Sequence, residues 1–534
     1  MSGPVPALDD RATACAERLR AADDVLLASH IDADGLTSAA IATTALERAG
    51  IPHEVVFAKQ LDAEEVARIA ATDHDTVLFT DFGSGQLDVI AAYEASGEFT
   101  PVIADHHQPA DAETEYHLNP LLEGIDGASE LSGAGASYVL ARALAETGPT
   151  EAPGADARNA ADGAGSGPDD RDETHDGDGD AEPRVATDGA GAVPAPPGVG
   201  GEGATVDPAA RRENRDLAAL AVVGAVGDMQ GGRDGLTGAN EALVAEGEAA
   251  GVLNASTDLS LYGKQTRPLP KLLEYASDVR IPGISNDEAG AVEFLSGLDL
   301  ELKADGEWRR WVDLSGEERR TVASALLRRA IASGVPANRA EGLVGTTYTL
   351  PAEPEGTELR DVSEFSTLLN ATARYERADV GLAVCTGDRD RALERARRLL
   401  RNHRRNLSEG LQWVKTEGVT QAEHLQWFDA GTRIRETIVG IVAGMSLGTD
   451  AVRNGRPVIA FAEKNDEEVK VSARGSGPLV RRGLDLSAVM REASRSVGGD
   501  GGGHDVAAGA TIPAGTEEAF VEAADAIVGK QLGG

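Results

Sequence analysis

The stretch Pro101-Val102-Ile103-Ala104-Asp105-His106-His107-Gln108-Pro109 decides how this chain is read. An apolar, strand-favouring run, Pro101 to Ala104, stops abruptly at an acid and two adjacent histidines. Imidazole nitrogen and carboxylate oxygen gathered at one strand end suit a divalent transition metal. Three other segments have the same form. They are His30-Ile31-Asp32-Ala33-Asp34-Gly35, Asp81 in Leu78-Phe79-Thr80-Asp81-Phe82-Gly83, and Asp228 in Val226-Gly227-Asp228-Met229. Each follows a short apolar or β-favouring stretch, so each is expected at a strand end.

The surrounding sequence alternates strand and helix. Asp24 to Ser29 reads as a buried strand and Thr37 to Ala49 as a helix stopped by Gly50 and Pro52. His53 to Ala58 reads as a strand, Ala63 to Ala71 as a helix, and Thr76 to Thr80 as a strand. Such alternation predicts an α/β fold with a parallel sheet, in which ligands gather beyond the carboxyl ends of the strands. Singly the motifs are weak. His30 alone would read as a satisfied, partly buried histidine, and Asp81 or Asp228 alone as a helix N-cap. Their joint occurrence carries the site.

At 534 residues the chain can hold two or three domains with sizeable cores. Its formal net charge of −39 is a self-repelling surface of the kind used in high-salt cytoplasm. Such acidity works against nucleic-acid binding, except where bound cations reverse the local field. Cys15 and Cys385 are too few and too far apart for a disulfide framework or a cysteine-based zinc site. Met1 to Arg20 has no apolar core, and no run is long enough to span a membrane, so a cytoplasmic protein is expected.

Residues 1–250 read as the catalytic domain, interrupted at 149–206 by an acidic Gly/Ala/Asp-rich insert that buries too little apolar surface to order itself. Helices are expected on either side of it, Ala134 to Glu146 and Arg212 to Val226. Residues 251–341 read as a helical connector and 342–534 as a second, smaller α/β domain. Strands are expected there at Val380–Cys385, Val458–Ala462 and Val469–Ala473.

The four motifs, in this order, resemble those of the DHH phosphoesterases, named for the Asp105-His106-His107 triplet. Gly501-Gly502-Gly503-His504 resembles the glycine-rich segment of the DHHA1 domain that accompanies them, and Ser472-Ala473-Arg474-Gly475 the strand-end pair that grips substrate phosphate. Leu369-Asn370-Ala371-Thr372-Ala373-Arg374 resembles a segment of the RecJ-like nucleases, with Ala373 where a glycine stands in that family. The resemblance is strongest to archaeal, haloarchaeal-type, RecJ-like single-strand exonucleases. It implies a metal site in the cleft between the two α/β domains.

It implies further that Asp81 bridges two divalent ions, Mn2+ favoured and Mg2+ allowed. His30 and Asp32 would complete one site, and Asp34, His106 and Asp228 the other. Asp105 would orient a histidine, and His107 would face the substrate phosphate or leaving group. Asn370, Arg374, Ser472, Arg474, Gly501, Gly502, Gly503 and His504 would hold substrate. The implied partners are single-stranded DNA or RNA, and with them replication or repair proteins. Two other functions share the domain plan: a phosphodiesterase or phosphatase for nanoRNA or small nucleotides, and a non-catalytic replication scaffold. One basic run stands apart, Arg389, Arg391, Arg395, Arg397, Arg398, Arg401, Arg404 and Arg405. It reads equally well as a salt-bridged helix or as a surface that tracks a nucleic-acid backbone.

Overall fold

In a computed structural model of the chain, residues 3–146, 208–276, 279–447, 449, 451–453 and 455–533 are described. The 149–206 insert lies outside them.

Helix α1 (Asp9–Arg20) precedes the first sheet. Strands β1 (Val25–His30), β2 (His53–Ala58), β3 (Thr76–Thr80), β4 (Thr100–Ala104) and β5 (His117–Leu118) pair in the order β2-β1-β3-β4-β5, all parallel. The strands read as apolar runs because both faces are covered. Leu27, Leu78 and Val102 face one side, with helices α1, α2 (Ala33–Ala49) and α5 (Gly133–Glu146). Leu26, Val77, Phe79 and Ile103 face the other, with α3 (Ala63–Ala70) and α4 (Leu87–Ser96). Leu36 on α2 is fully buried, so its truncation to alanine would cost about 2–5 kcal/mol. Because β1 is flanked by β2 and β3, the order in which strands are added reverses between β1 and β3, although the strands themselves stay parallel. A crevice opens at such a switch point.

Helices α6 (Pro208–Arg212), α7 (Ala218–Gly227) and α8 (Ala239–Ala249) follow. The sequence puts Asp228 at a strand end, but it forms the C-cap of α7. The Ala218–Gly227 run packs against α2 and α5, and an apolar stretch of that length does not by itself distinguish a buried helix from a buried strand.

The region read as a helical connector contains more. Strand β6 (Asn254–Leu259) pairs with β9 (Val344–Thr349) and bounds a unit made of α9 (Leu269–Glu274), α10 (Glu288–Ser296), the β7 (Lys303–Ala304) and β8 (Glu307–Trp308) hairpin, α11 (Gly316–Ala332) and α12 (Ala337–Ala340). This unit has its own core around Trp311, Leu272, Ile281 and Leu326.

Helices α13 (Val362–Arg374), α14 (Ala378–Cys385) and the first half of α15 (Arg391–Glu417) return to the first core through Phe365, Leu368, Val380, Leu382 and Leu400. The strand expected at Val380–Cys385 is therefore helix α14. Its β-branched apolar run suits a strand locally, yet its neighbours are α2, α13 and α15, which offer no strand edge to pair with.

The last part is a six-stranded mixed sheet in the order β10-β11-β12-β13-β15-β14, formed by β10 (Thr420–Gln421), β11 (Gln426–Asp429), β12 (Val458–Glu463), β13 (Glu468–Arg474), β14 (Asp500–Gly503) and β15 (Ala507–Pro513). Helices α16 (Val439–Ser446), α17 (Gly477–Val480), α18 (Leu486–Ser496) and α19 (Glu517–Leu532) accompany it. No helix among the described residues is long and apolar enough to cross a membrane.

Candidate metal centre and basic cavity

The carboxyl ends of the parallel strands carry the site. His30 ends β1, Asp81 follows β3, and Asp105 and His106 follow β4. Asp32 caps α2, with Oδ1 accepting from Gly35 N at 3.0 Å, while Oδ2 lies 3.2 Å from His30 Nδ1. The turn needs Gly35 because a Cβ there would stand 2.1 Å from the His30 carbonyl oxygen. Asp34, two residues on, points the other way into the core. Its oxygens accept from Gly133 N at 2.7 Å and Ala134 N at 3.1 Å, at the start of α5.

Asp81 sits between the two groups. Its Oδ2 is 3.4 Å from His30 Nδ1 and its Oδ1 3.2 Å from His106 Nε2. It holds an unusual backbone, φ 59°, and Oδ2 is buried with no hydrogen-bond donor. Gly133 makes room for it, since a Cβ at 133 would stand 2.4 Å from Oδ1. His106 Nδ1 is 2.7 Å from the Gly127 carbonyl, to which it donates, and this aims Nε2 at Asp81 and Asp34. Asp228 closes this side, with Oδ2 3.9 Å from the His106 ring.

Donor atoms of His30, Asp32 and Asp81 thus converge in one group, and those of Asp34, His106 and Asp228 in a second. The electrostatics call for cations. Burial opposes charge on His30, yet Asp32 and Asp81 outweigh it and push its pKa up to about 11. His106 is pushed up to about 11 in the same way, burial being overridden by Asp81. Burial raises Asp34, and Asp81 raises it further; burial raises Asp228 too. Mixed carboxylate and imidazole donors, excess negative charge and an orphaned Asp81 oxygen fit divalent metal.

Asp105 has a different environment. It is fully buried, and Oδ1 accepts from His106 N at 2.8 Å and approaches His107 Nδ1 at 2.8 Å, while Oδ2 accepts from Ser84 N at 2.9 Å. Burial alone would raise its pKa; the His107 hydrogen bond holds it well below the usual range. His107 is half-exposed. With Nδ1 committed, its Nε2 is left for the cavity of about 360 Å3 that it lines with His30, Lys59 and Asp81.

Sequence reading missed the layer behind these groups. Asn119 donates to Ser84 Oγ at 2.9 Å and to the His107 carbonyl at 2.9 Å. His117 Nε2 meets Ser84 Oγ at 2.8 Å, and burial brings its pKa down to about 4, which keeps it neutral. Gln230 donates to Asp228 Oδ2 at 2.9 Å and is held by Asn240 at 2.7 Å. Lys59 was also missed, although it follows β2 and so obeys the strand-end rule that found the acids. It lines the His107 cavity and pairs with Glu376 and, at 3.4 Å, with Glu436.

Glu376 and Glu436 belong to a second cavity of about 350 Å3, lined also by Arg374, Tyr375, Arg435 and Lys464. Glu463 lines it too, so Arg374 lies in a mixed-charge cleft of three cations and three carboxylates, joined to the metal-centre cavity through Lys59. Burial, and then the Arg374 charge, lower the Arg474 pKa, which puts these two guanidiniums near each other. Ser472 and Arg474 share one face of β13 and both abut Gly440 on α16.

Two expected substrate contacts have other surroundings. Asn370 lies within helix α13, not in a turn, and its Oδ1 accepts from Ala33 N at 3.2 Å, bracing the first motif. Ala373 is buried in the same helix, where no glycine is required. Gly501, Gly502 and Gly503 form the edge strand β14, not an open phosphate-cradling loop. A Cβ at Gly501 would stand 2.7 Å from that of Ala510, so the glycine serves close strand packing. His504 is exposed at the tip of that hairpin, with its N donating to Ala507 O at 2.9 Å.

Residues 24–160 match the DHH family N-terminal domain, 261–344 the DHH-CID domain and 425–530 the DHHA1 domain. The chain is therefore a DHH-family protein with a DHH-CID unit between its two α/β parts. It is 25% identical over 512 residues, 94% of its length, to an uncharacterized protein of Methanocaldococcus jannaschii, and covers 93% of that protein. Its fold is that of RecJ from Thermus thermophilus, solved in complex with Mn2+ (TM-score 0.55, 17% identity over 99% of this chain). The chain spans only 56% of the Thermus protein's length. CDC45 from Entamoeba histolytica also shares the fold (TM-score 0.57, 12% identity, 98% of this chain and 97% of that one).

Proposed function

We propose that this protein is a metal-dependent phosphodiester hydrolase that shortens single-stranded nucleic acid from one end, releasing mononucleotides. The observation that carries this reading is the pair of three-donor groups with Asp81 between them, one oxygen toward His30 and the other toward His106, and an arginine-bearing cavity next to them. His30, Asp32 and Asp81 would hold one divalent ion, and Asp34, Asp81, His106 and Asp228 a second. Mn2+ suits the mixed donors, as in the Thermus complex. Such ions, when bound, activate a water and neutralise charge on phosphorus.

The chain's own residues do the rest. Asp105 fixes the His107 ring and favours its protonated form, so that Nε2–H can donate to the phosphate or to the leaving oxygen. Gly133 N and Ala134 N keep Asp34 from swinging toward Asp81. Lys59, Arg374 and Arg474 draw the phosphate backbone toward an otherwise acidic protein. The structure supports Asn370 as a brace for the first motif, and Ser472 as a neighbour of Arg474 against α16.

End-labelled DNA and RNA strands of graded length, digested with Mn2+, test the reading. Stepwise loss of mononucleotides from one end, with duplex resisting, is the expected result. Efficient hydrolysis of dinucleotides with long strands untouched would give the site to small nucleotides. No hydrolysis of either would leave the scaffold reading, for which the CDC45 fold is a precedent.

A further inference from the structure

A ladder of alternating aromatic rings and guanidiniums runs from the DHH-CID unit to α15. The Arg267 guanidinium lies 4.8 Å from the ring centroids of both Tyr262 and Tyr275. Arg404 on α15 stands 5.5 Å over the other end of the ladder, at Tyr262, and bonds its hydroxyl. Tyr275, at the outer end, is 51% exposed, with Lys271 Nζ 5.8 Å from its ring centroid.

The arginine run on α15 divides into two classes. Arg389, Arg395 and Arg397 are tied to carboxylates: Glu353, Asp379 and Glu358. Arg398, Arg401 and Arg405 are exposed, and among the described residues none has a carboxylate within 4.0 Å. Their spacing puts them on one side of the helix, beside Arg404. On a chain of net charge −39, three arginines left without carboxylates form a surface suited to a polyanion.

The inward face of the same helix meets the mixed-charge cavity: His403 packs edge-on against Tyr375 at 6.4 Å, and Arg435 lies 4.9 Å over the same Tyr375 ring. Tyr375, Arg435 and Arg374 line that cavity.

Resting on the hydrolase reading above, we infer that single-stranded nucleic acid lies along the outer face of α15 and stacks a base on Tyr275, the exposed end of the ladder. Arg398, Arg401 and Arg405 would track its phosphates. Rings interleaved with cations hold a strand without reading its sequence, because every base has a π-face and every linkage a charge. The DHH-CID unit is then a strand-holding element that lies outside the metal centre.

Fluorescence anisotropy tests this with the full chain and labelled oligothymidylates in EDTA, where no cleavage occurs, at one fixed salt concentration. The wild type should bind a strand of about 20 nucleotides at least ~10-fold more tightly than one of about four. Tyr275→Ala, and separately Arg401→Gln with Arg405→Gln, should remove most of that length advantage while leaving the short strand unaffected. Tyr275→Trp should restore it, which a purely structural role for the ring would not require. Unchanged length dependence in both variants would overturn the inference, as would a wild type that binds both lengths equally. Because binding in EDTA is independent of turnover, strand digestion that survives such a result leaves the hydrolase reading standing.

Discussion

The acidic centre and the mixed-charge cavity beside it are built in opposite ways. In the first, short side chains are anchored by backbone: Asp32 by Gly35 N, Asp34 by Gly133 N and Ala134 N, and Asp105, which orients His107, by Ser84 N and His106 N. In the second, long Arg, Lys and Glu side chains balance one another across open space, as Lys59 does between Glu376 and Glu436. Metal coordination tolerates errors of only a few tenths of an ångström, so its ligands are fixed by the fold. A strand that must advance after each cut needs charge without rigid registration, and long side chains supply it. Substitutions should therefore act as switches in the first region and as graded adjustments in the second.

The largest effect should come from Asp81→Asn. It removes the carboxylate that stands between the two donor groups, one oxygen near His30 and the other near His106, and turnover on strands and dinucleotides alike should fall by about 10³-fold or more. Because burial and Asp81 together raise the Asp34 pKa, melting in EDTA should be unchanged or shifted upward. Near-normal Mn2+-dependent turnover would break the account of a shared ligand. Next comes Gly133→Ala, whose Cβ would meet Asp81 Oδ1 at 2.4 Å. Displacing a supporting contact of this kind should cost about 10–100-fold in metal affinity, read by titrating activity with Mn2+. A wild-type titration would show that the centre is less rigid than its geometry implies.

In the mixed-charge cavity the change should be smaller and selective. Arg374→Gln or Arg474→Gln should raise KM for long strands by about 10-fold, roughly the value of a charge-assisted phosphate contact, and leave dinucleotide kcat nearly unaltered. Equal losses on both substrates would erase the distinction between the two regions.

The same contrast governs what the sequence revealed. The acids and histidines at strand ends were legible because an apolar run that stops at a polar cluster is a one-dimensional pattern, and β2 and β3 have the boundaries that pattern predicts. Asp228 lies at a helix end because an apolar run carries no periodicity that excludes a helix. The Val380–Cys385 run became α14 through packing against α2, α13 and α15, which lie far from it or beyond it in sequence. Strand β6, Asn-Ala-Ser-Thr-Asp-Leu, is half-exposed and polar, so it carries no alternation to read. Ser84, Asn119 and Gln230 work only through partners brought near by the fold, and a single sequence holds no trace of that.

The smallest effect tests whether burial alone, without a neighbouring donor group, perturbs an acid here. Glu364 on α13 is fully buried where the DHH-CID unit meets the first core. Its oxygens accept from Gln265 N at 2.8 Å and Thr266 Oγ1 at 2.5 Å. Burial, and after it Asp361, push its pKa up to about 7, against the opposing charge of Arg267. The folded state therefore holds a proton that the unfolded chain, with a glutamate near 4.5, has released. Stability from this group is complete below the unfolded value and declines as pH rises through the window from about 4.5 to 7. The full shift would correspond to a ceiling of about 3 kcal/mol, and the measurable change should be nearer ~1 kcal/mol once relaxation is counted. Glu364→Gln keeps the shape and removes the titration, so its denaturant midpoint should fall less across roughly pH 5 to 7 than the wild type's does. The metal-centre carboxylates contribute equally to both proteins and cancel in the difference. Parallel pH profiles would mean that Glu364 stays charged when buried, and that Arg267 neutralises it across the joint.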